Sequence, residues 1–151
     1  MDGQNQPAEQ LGRVFAQIEN NELVQYDVTG LFVGEPATEG EYDWDYSSWR
    51  ITAPGSTVSL RFARPEDSAT PLVLEVEWAG WGAQTLVNVL LNGEMLAEAH
   101  EVHGSAWNSP ARDRFELPAS ALAETNTVTV ELRYDSPMVV FLREFVLLRG
   151  A

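Results

Sequence analysis

An antiparallel β-sandwich preceded by a short amphipathic helix is the architecture the sequence predicts. Three observations lead there: apolar residues recur at every second position through most of the chain, turn-forming residues punctuate these runs at intervals of roughly ten, and a helical period occurs only near the start. At 151 residues the chain fits one domain with a core large enough to need no staples. It divides into a tail and helix, 1–21, and a sandwich, 22–151.

From Pro7 to Asn20 the apolar residues Leu11, Val14, Phe15 and Ile18 follow the i, i+3, i+4, i+7 stripe of an amphipathic helix. Pro7 suits a first turn and Asn20-Asn21 a stop. So short a helix needs something to pack against, either the domain's own core or a partner or second copy. Beyond it the period is two. Strands are expected at Leu23–Val28, Leu31–Val33, Trp49–Thr52, Val58–Ala63, Leu72–Trp78, Leu86–Leu91, Met95–Ala99, Arg114–Leu117, Thr127–Tyr134 and Val139–Leu148. In VSLRF, Val58, Leu60 and Phe62 share one face, and in TVTVEL, Val128, Val130 and Leu132 do. Leu86–Leu91 and Val139–Leu148 are apolar on both faces, so they belong in the centre or beneath the helix. Asn92-Gly93 is the strongest turn signal, since both residues accept the positive φ of a two-residue type I′ hairpin.

Composition narrows the chemistry. There are 23 acidic residues against 9 basic ones, every basic residue is arginine, and the formal net charge is -14. Such a field repels phosphate backbones and anionic headgroups, which argues against nucleic acid and membrane-surface partners. A lysine-free acidic chain suits either high salt or a GC-rich genome. Without cysteine there is no disulfide, thiolate nucleophile or zinc-cysteine site. No apolar run reaches the ~18 residues of a membrane span, and MDGQNQPAEQ has no signal-peptide pattern. The chain is therefore expected to be cytoplasmic if Met1 is the native start, and extracellular if it is an excised or mature module.

The aromatic residues are the most suggestive candidates for function. In EYDWDYSSW, strict alternation puts Tyr42, Trp44 and Tyr46 on one face and Asp43 and Asp45 on the other. Flat rings can stack on a pyranose while carboxylates accept its hydroxyls. Trp81 follows Trp78-Ala79-Gly80 where a strand leaves the sheet, and Trp107 shares a polar loop with Asn108 and Arg112. Trp49 and Trp78 are expected in the core. Asp43 and Asp45, with Glu39 or Glu41, offer hard oxygens to calcium, although in a chain this acidic a solvated acidic loop is the better explanation of them. The two histidines, His100 and His103, lack a metal-ligand spacing. Glu75 and Glu77 satisfy only the distance a glycosidase pair needs. There is no nucleophile elbow and no phosphate-cradling glycine loop, so catalysis is disfavoured by elimination.

A set of short motifs carries a resemblance. Leu72, Leu74 and Val76 on one strand, then Val87 to Gly93, then Phe115-Glu116-Leu117-Pro118, then Ala121-Leu122 before Asn126-Thr127-Val128-Thr129-Val130, resemble the galactose-binding-like jelly roll. That fold underlies many non-catalytic carbohydrate-binding modules and the module-like last domain of rhamnogalacturonan lyases. The resemblance covers about residues 45 to 149. It departs at Thr125, where glycine is usual, which suggests a different turn geometry, and at Glu144, where aspartate is common. It implies a non-catalytic module that binds a carbohydrate through Trp44, Tyr46, Trp81 and Trp107, with Asp43, Asp45, Asn108 and Arg112 directing hydroxyls, and it allows a structural calcium. Two other readings are a protein-interaction domain that forms a homo-oligomer through the N-terminal helix stripe and apolar strands, and a hydrolase or lyase on the same scaffold.

Overall fold

The computed structural model describes residues 9–19, 22–33, 37–38, 41–43, 48–51, 55–65, 71–80, 85–102, 110–134 and 140–149, with side chains described outside 15–29 and 37–51. Twelve strands form two antiparallel sheets. They are β1 Gln10–Glu19, β2 Glu22–Gly30, β3 Ala37–Thr38, β4 Glu41–Asp43, β5 Ser48–Ile51, β6 Thr57–Ala63, β7 Leu72–Gly80, β8 Leu86–Leu91, β9 Glu94–Glu101, β10 Ala111–Leu117, β11 Thr125–Leu132 and β12 Val140–Arg149. The larger, seven-stranded sheet runs β10-β7-β12-β1-β2, with β5 pairing the first part of β12 and β4 pairing β5. The smaller, five-stranded sheet runs β3-β6-β11-β8-β9.

Alternation builds the core as expected. Val58, Leu60 and Phe62 of β6, Leu72, Leu74, Val76 and Trp78 of β7, and Val128, Val130 and Leu132 of β11 are all buried, and they meet between the sheets. The half-buried partners face outward, where the cross-strand pair Ser59 and Thr129 joins its hydroxyls at 3.1 Å. β12 lies between β7 and β1 with both faces buried: Val140, Leu142, Phe145 and Leu147 enter the main core, while Phe141, Val146 and Leu148 are buried outside it. Its two-sided apolar sequence thus reflects a central strand.

The expected N-terminal helix is absent. Residues 10–19 form β1, with Val14 opposite Phe145 on one side and Val28 on the other. The ladder shifts register between Gln10 and Gly12 and again between Phe15 and Gln17. A strand interrupted in this way loses strict alternation, so its apolar residues fall three and four apart and imitate a helical stripe. Gly12 and the β-branched Val14 and Ile18 favour the strand locally, and the ladder offered by β12 decides the matter. The single helical turn among the described residues is the 3-10 turn Ala119–Ala121, which fits the short turn of the Pro118 motif.

Leu31–Val33 forms a lone bridge, Phe32 with Phe62, instead of a full strand. It follows Gly30, where the chain leaves the larger sheet for the smaller. Gly30 has φ +71, and a Cβ there would lie 2.0 Å from the Leu11 carbonyl oxygen, so only glycine can make this corner.

At one end of the sandwich, side-chain amides fasten the turns together. Asn92 and Gly93 have φ 53 and 84, the left-handed pair the hairpin requires. Asn92 Nδ2 donates to Asn126 Oδ1 at 2.9 Å, while Asn92 Oδ1 accepts from the Thr127 N–H at 2.8 Å. Asn126 is fully buried; its Oδ1 also accepts from the Ala123 N–H at 2.7 Å, and its Nδ2 donates to the Ala123 carbonyl at 2.9 Å. Thr125, in place of the usual glycine, opens β11 without a positive φ, so no glycine is needed there.

Replacing Asn126 with alanine removes three bonds and leaves buried partners unsatisfied, which should cost roughly 2–3 kcal/mol. The melting temperature should fall by about 5–10 °C, against a smaller loss for the exposed Asn92→Ala, as read by calorimetry.

Candidate functional site

Strand register shows which segments share an end of the molecule. Val140 pairs with Gly80 and with Ile51, Ala111 with Trp78, Leu86 with Glu101, and Glu131 with Thr57. The ends of β5, β7, β9 and β11 and the starts of β6, β8, β10 and β12 therefore gather opposite the Asn92–Asn126 end. Segments 81–84 and 103–109, which carry Trp81, Trp107 and Asn108, are anchored here. Segment 44–47 joins Asp43 to Ser48, at the other end of β5, ~10 Å along the strand. The side chains of Trp44, Tyr46, Asp43, Asp45, Trp81, Trp107 and Asn108 lie outside those described, as do Trp49 and His103.

At this end the described residues form a polar and aromatic floor. Trp78 is fully buried, and its indole Nε1 donates to Asp113 Oδ2 at 2.6 Å. His100 Nε2 lies 3.1 Å from the same oxygen. The His100 ring packs tilted on Trp78 at 5.5 Å and edge-on to Phe115 at 5.0 Å. An acid this enclosed needs partners, and an indole N–H needs an acceptor, so each satisfies the other. A bulge in β9 makes the arrangement possible. Ala99 takes φ 52, its N–H donates to Asn88 Oδ1 at 3.0 Å, and the register shift sets His100 opposite the inward-facing Val87. Nothing in the sequence marks His100 for this position, since neither its spacing to Asp113 nor the bulge leaves a recognisable signal.

The same Asn88 borders an open cleft of about 330 Å³ on the outer face of the smaller sheet, lined also by Glu131, Arg133 and Tyr134. Asn88 Nδ2 donates to Glu131 Oε1 at 3.0 Å, and Arg133 Nη1 donates to Asn88 Oδ1 at 3.1 Å. Tyr134 is 83% exposed. None of these residues stood out in the sequence, where Asn88 reads only as a break in an apolar run.

Arg112 has a different setting. It lies on the outer face of the larger sheet, where Nη1 meets Glu75 at 2.6 Å and Nη2 meets Glu77 at 3.2 Å and Glu144 at 2.7 Å. Arg114 Nε adds a second contact to Glu75 at 2.9 Å. Glu144, at the closing position of the fold motif, is thus an ion-pair partner. Burial alone would raise the Glu75 pKa, but hydrogen bonds and charge from Arg112 and Arg114 outweigh it and hold the carboxyl below its ordinary value. A general acid needs the opposite shift, so the Glu75 carboxyl is not held as one.

Among the described residues no group of three or more histidines or carboxylates is placed to hold a metal ion. The three carboxylates around Arg112 are neutralised by guanidinium groups and do not suit calcium. No helix of the described residues is long and apolar enough to cross a membrane.

Because the Glu75 carboxyl is depressed in the folded state, the stability it contributes is present above its unfolded pKa and lost as pH falls from about 4.5 through the folded value. Glu75→Gln should lower stability at pH 7 and narrow the gap to the parent at pH 3, as measured by denaturant unfolding across that range.

No protein-family model matches the chain, and no curated protein matches it in sequence. Solved structures do. The CBM36-1 domain of a multidomain xylanase from the hindgut metagenome of Trinervitermes trinervoides is 12% identical, with a TM-score of 0.55 over 80% of this chain and 90% of that one. A CBM36 module solved with calcium and xylotriose gives 10% identity and 0.51 over 77% and 91%. CBM35 from Paenibacillus barcinonensis gives 10% and 0.52 over 78% and 91%. At these identities the likeness concerns architecture: the chain is a β-sandwich structurally similar to CBM35 and CBM36 carbohydrate-binding modules, of the galactose-binding-like kind.

Proposed function

We propose that this protein is a non-catalytic carbohydrate-binding module whose site is formed by the segments carrying Trp81, Trp107 and Asn108. The observation that carries this reading is the convergence of both segments' anchors on one end of the sandwich, above the rigid floor of Trp78, His100, Asp113 and Phe115. Tryptophan rings present apolar faces that fit the C–H face of a pyranose. Asn108 supplies an amide that can donate to and accept from hydroxyls, whereas Arg112 is engaged by Glu75, Glu77 and Glu144. Trp44, Tyr46, Asp43 and Asp45 extend the surface from the β4–β5 segment. Calcium, if held, takes Asp43 and Asp45 with Glu39 or Glu41, since carboxylates at alternate positions supply hard oxygen donors.

The alternative of assembly through an N-terminal helix loses its basis, since Leu11, Val14, Phe15 and Ile18 belong to a strand paired on both sides. The similar structures include a CBM36 module in complex with calcium and xylotriose and a family two carbohydrate esterase from Clostridium thermocellum in complex with cellohexaose, which makes β-linked glycans the first ligands to try.

Isothermal titration with xylohexaose and cellohexaose should show saturable binding by the parent. Trp107→Ala and Trp81→Ala should each weaken it by about tenfold. Absence of binding across a broad glycan array, or binding by both variants as tight as the parent's, contradicts the proposal. A rise in melting temperature on adding calcium to the chelator-treated protein, abolished in Asp43→Asn/Asp45→Asn, is expected if the acidic segment holds the ion; no rise rejects that assignment.

A further inference from the structure

We infer that the cleft formed by Asn88, Glu131, Arg133 and Tyr134 is a second saccharide site, one that takes a single neutral pyranose unit on the outer face of the smaller sheet. It lies at the same end of the sandwich as the tryptophan segments but on the outer sheet face, as a site distinct from theirs, and it rests on the same reading, that the ligand is a glycan.

Size, chemistry and rigidity all point the same way. A volume of about 330 Å³ is within the ~300–1,000 Å³ of small-molecule sites. Tyr134, 83% exposed, is a large aromatic ring left to solvent beside convergent polar groups. Those groups are an amide, a carboxylate and a guanidinium, which together both donate and accept, as hydroxyl recognition requires. An acidic protein of net charge -14 repels anionic ligands, which favours a neutral sugar.

The cleft is also built in advance. Asn88 is 9% exposed and is fixed by bonds to Glu131, Arg133 and the Ala99 N–H, so its orientation costs nothing further on binding. Tyr134 is placed by Gly55. A Cβ on Gly55 would approach the Tyr134 hydroxyl to 2.7 Å, and its φ of +87 is itself a glycine conformation. The Gly55 N–H donates to the Leu132 carbonyl at 2.7 Å, and the Arg133 N–H to the Leu86 carbonyl at 3.1 Å, so both sides of the ring's anchor are tied to the sheet. The Ser59–Thr129 hydroxyl pair continues the polar face from the cleft across β11 and β6.

The test is a titration of the isotope-labelled full chain with xylohexaose and, separately, cellohexaose, following backbone amide shifts, in the parent and in Trp81→Ala/Trp107→Ala. The double variant should keep saturable shifts at Asn88, Glu131, Arg133 and Tyr134 for at least one of the two. Adding Tyr134→Ala should weaken that response about tenfold or more, while Tyr134→Phe, which keeps the ring, should stay within about threefold. Tyr134 is exposed, so these variants should fold, which an unchanged melting temperature verifies. Shifts confined to the loop end, or a Tyr134→Ala response equal to the parent's, overturn this site and leave the loop site standing. Shifts at the cleft alone support it and remove the loop site. No shift anywhere with either sugar overturns both.

Discussion

The buried amide of Asn126 is the constraint on which the lower half of the sandwich depends. It accepts from and donates to Ala123 and accepts from Asn92, so one side chain joins the β8–β9 hairpin, the approach from the 3-10 turn and the start of β11. Register in β11 follows from this: once Thr127 donates to Asn92, Val128, Val130 and Leu132 are committed to the core face and Thr129 and Glu131 to the outside. β11 in turn sets β6 on one side and β8 on the other. The two asparagines stand in the two motifs that link this chain to the galactose-binding-like folds, which gives those motifs a physical meaning as a clamp.

What the clamp frees is the opposite end. With register fixed at one end, the strands can terminate in segments that differ in length and composition without loss of the core. Polar groups there are satisfied: Asp113 joins Trp78 and His100, and Asn88 joins Glu131 and Arg133 beside Tyr134. The β9 bulge connects the two, since the Asn88 amide that borders the cleft also holds the strand that carries His100.

Legibility in the sequence followed chemical locality. β6, β7, β8, β11 and β12 were readable because alternation and an Asn-Gly turn are local signals with a single structural solution. β1 was misread because two register shifts turned its period of two into threes and fours, and only the neighbouring β12 ladder resolves the ambiguity. Arg112 was identified as a hydroxyl donor from its loop, yet its contacts with Glu75, Glu77 and Glu144 depend on β10, β7 and β12 being neighbours, which no local pattern records. The Tyr134 cleft was invisible for the same reason, as its walls come from β8 and the end of β11. The loop tryptophans were found from composition, and strand order adds that two of their segments share an end.

In the proposed function the two ends of this sandwich have different roles, one clamping and one binding, and hydrogen–deuterium exchange with and without a saturating oligosaccharide separates them. Exchange should slow in 81–84, 103–109 and 131–134 and stay unchanged at Asn92, Asn126 and Thr127. Protection centred on the Asn92–Asn126 end, with none at the other, would contradict it.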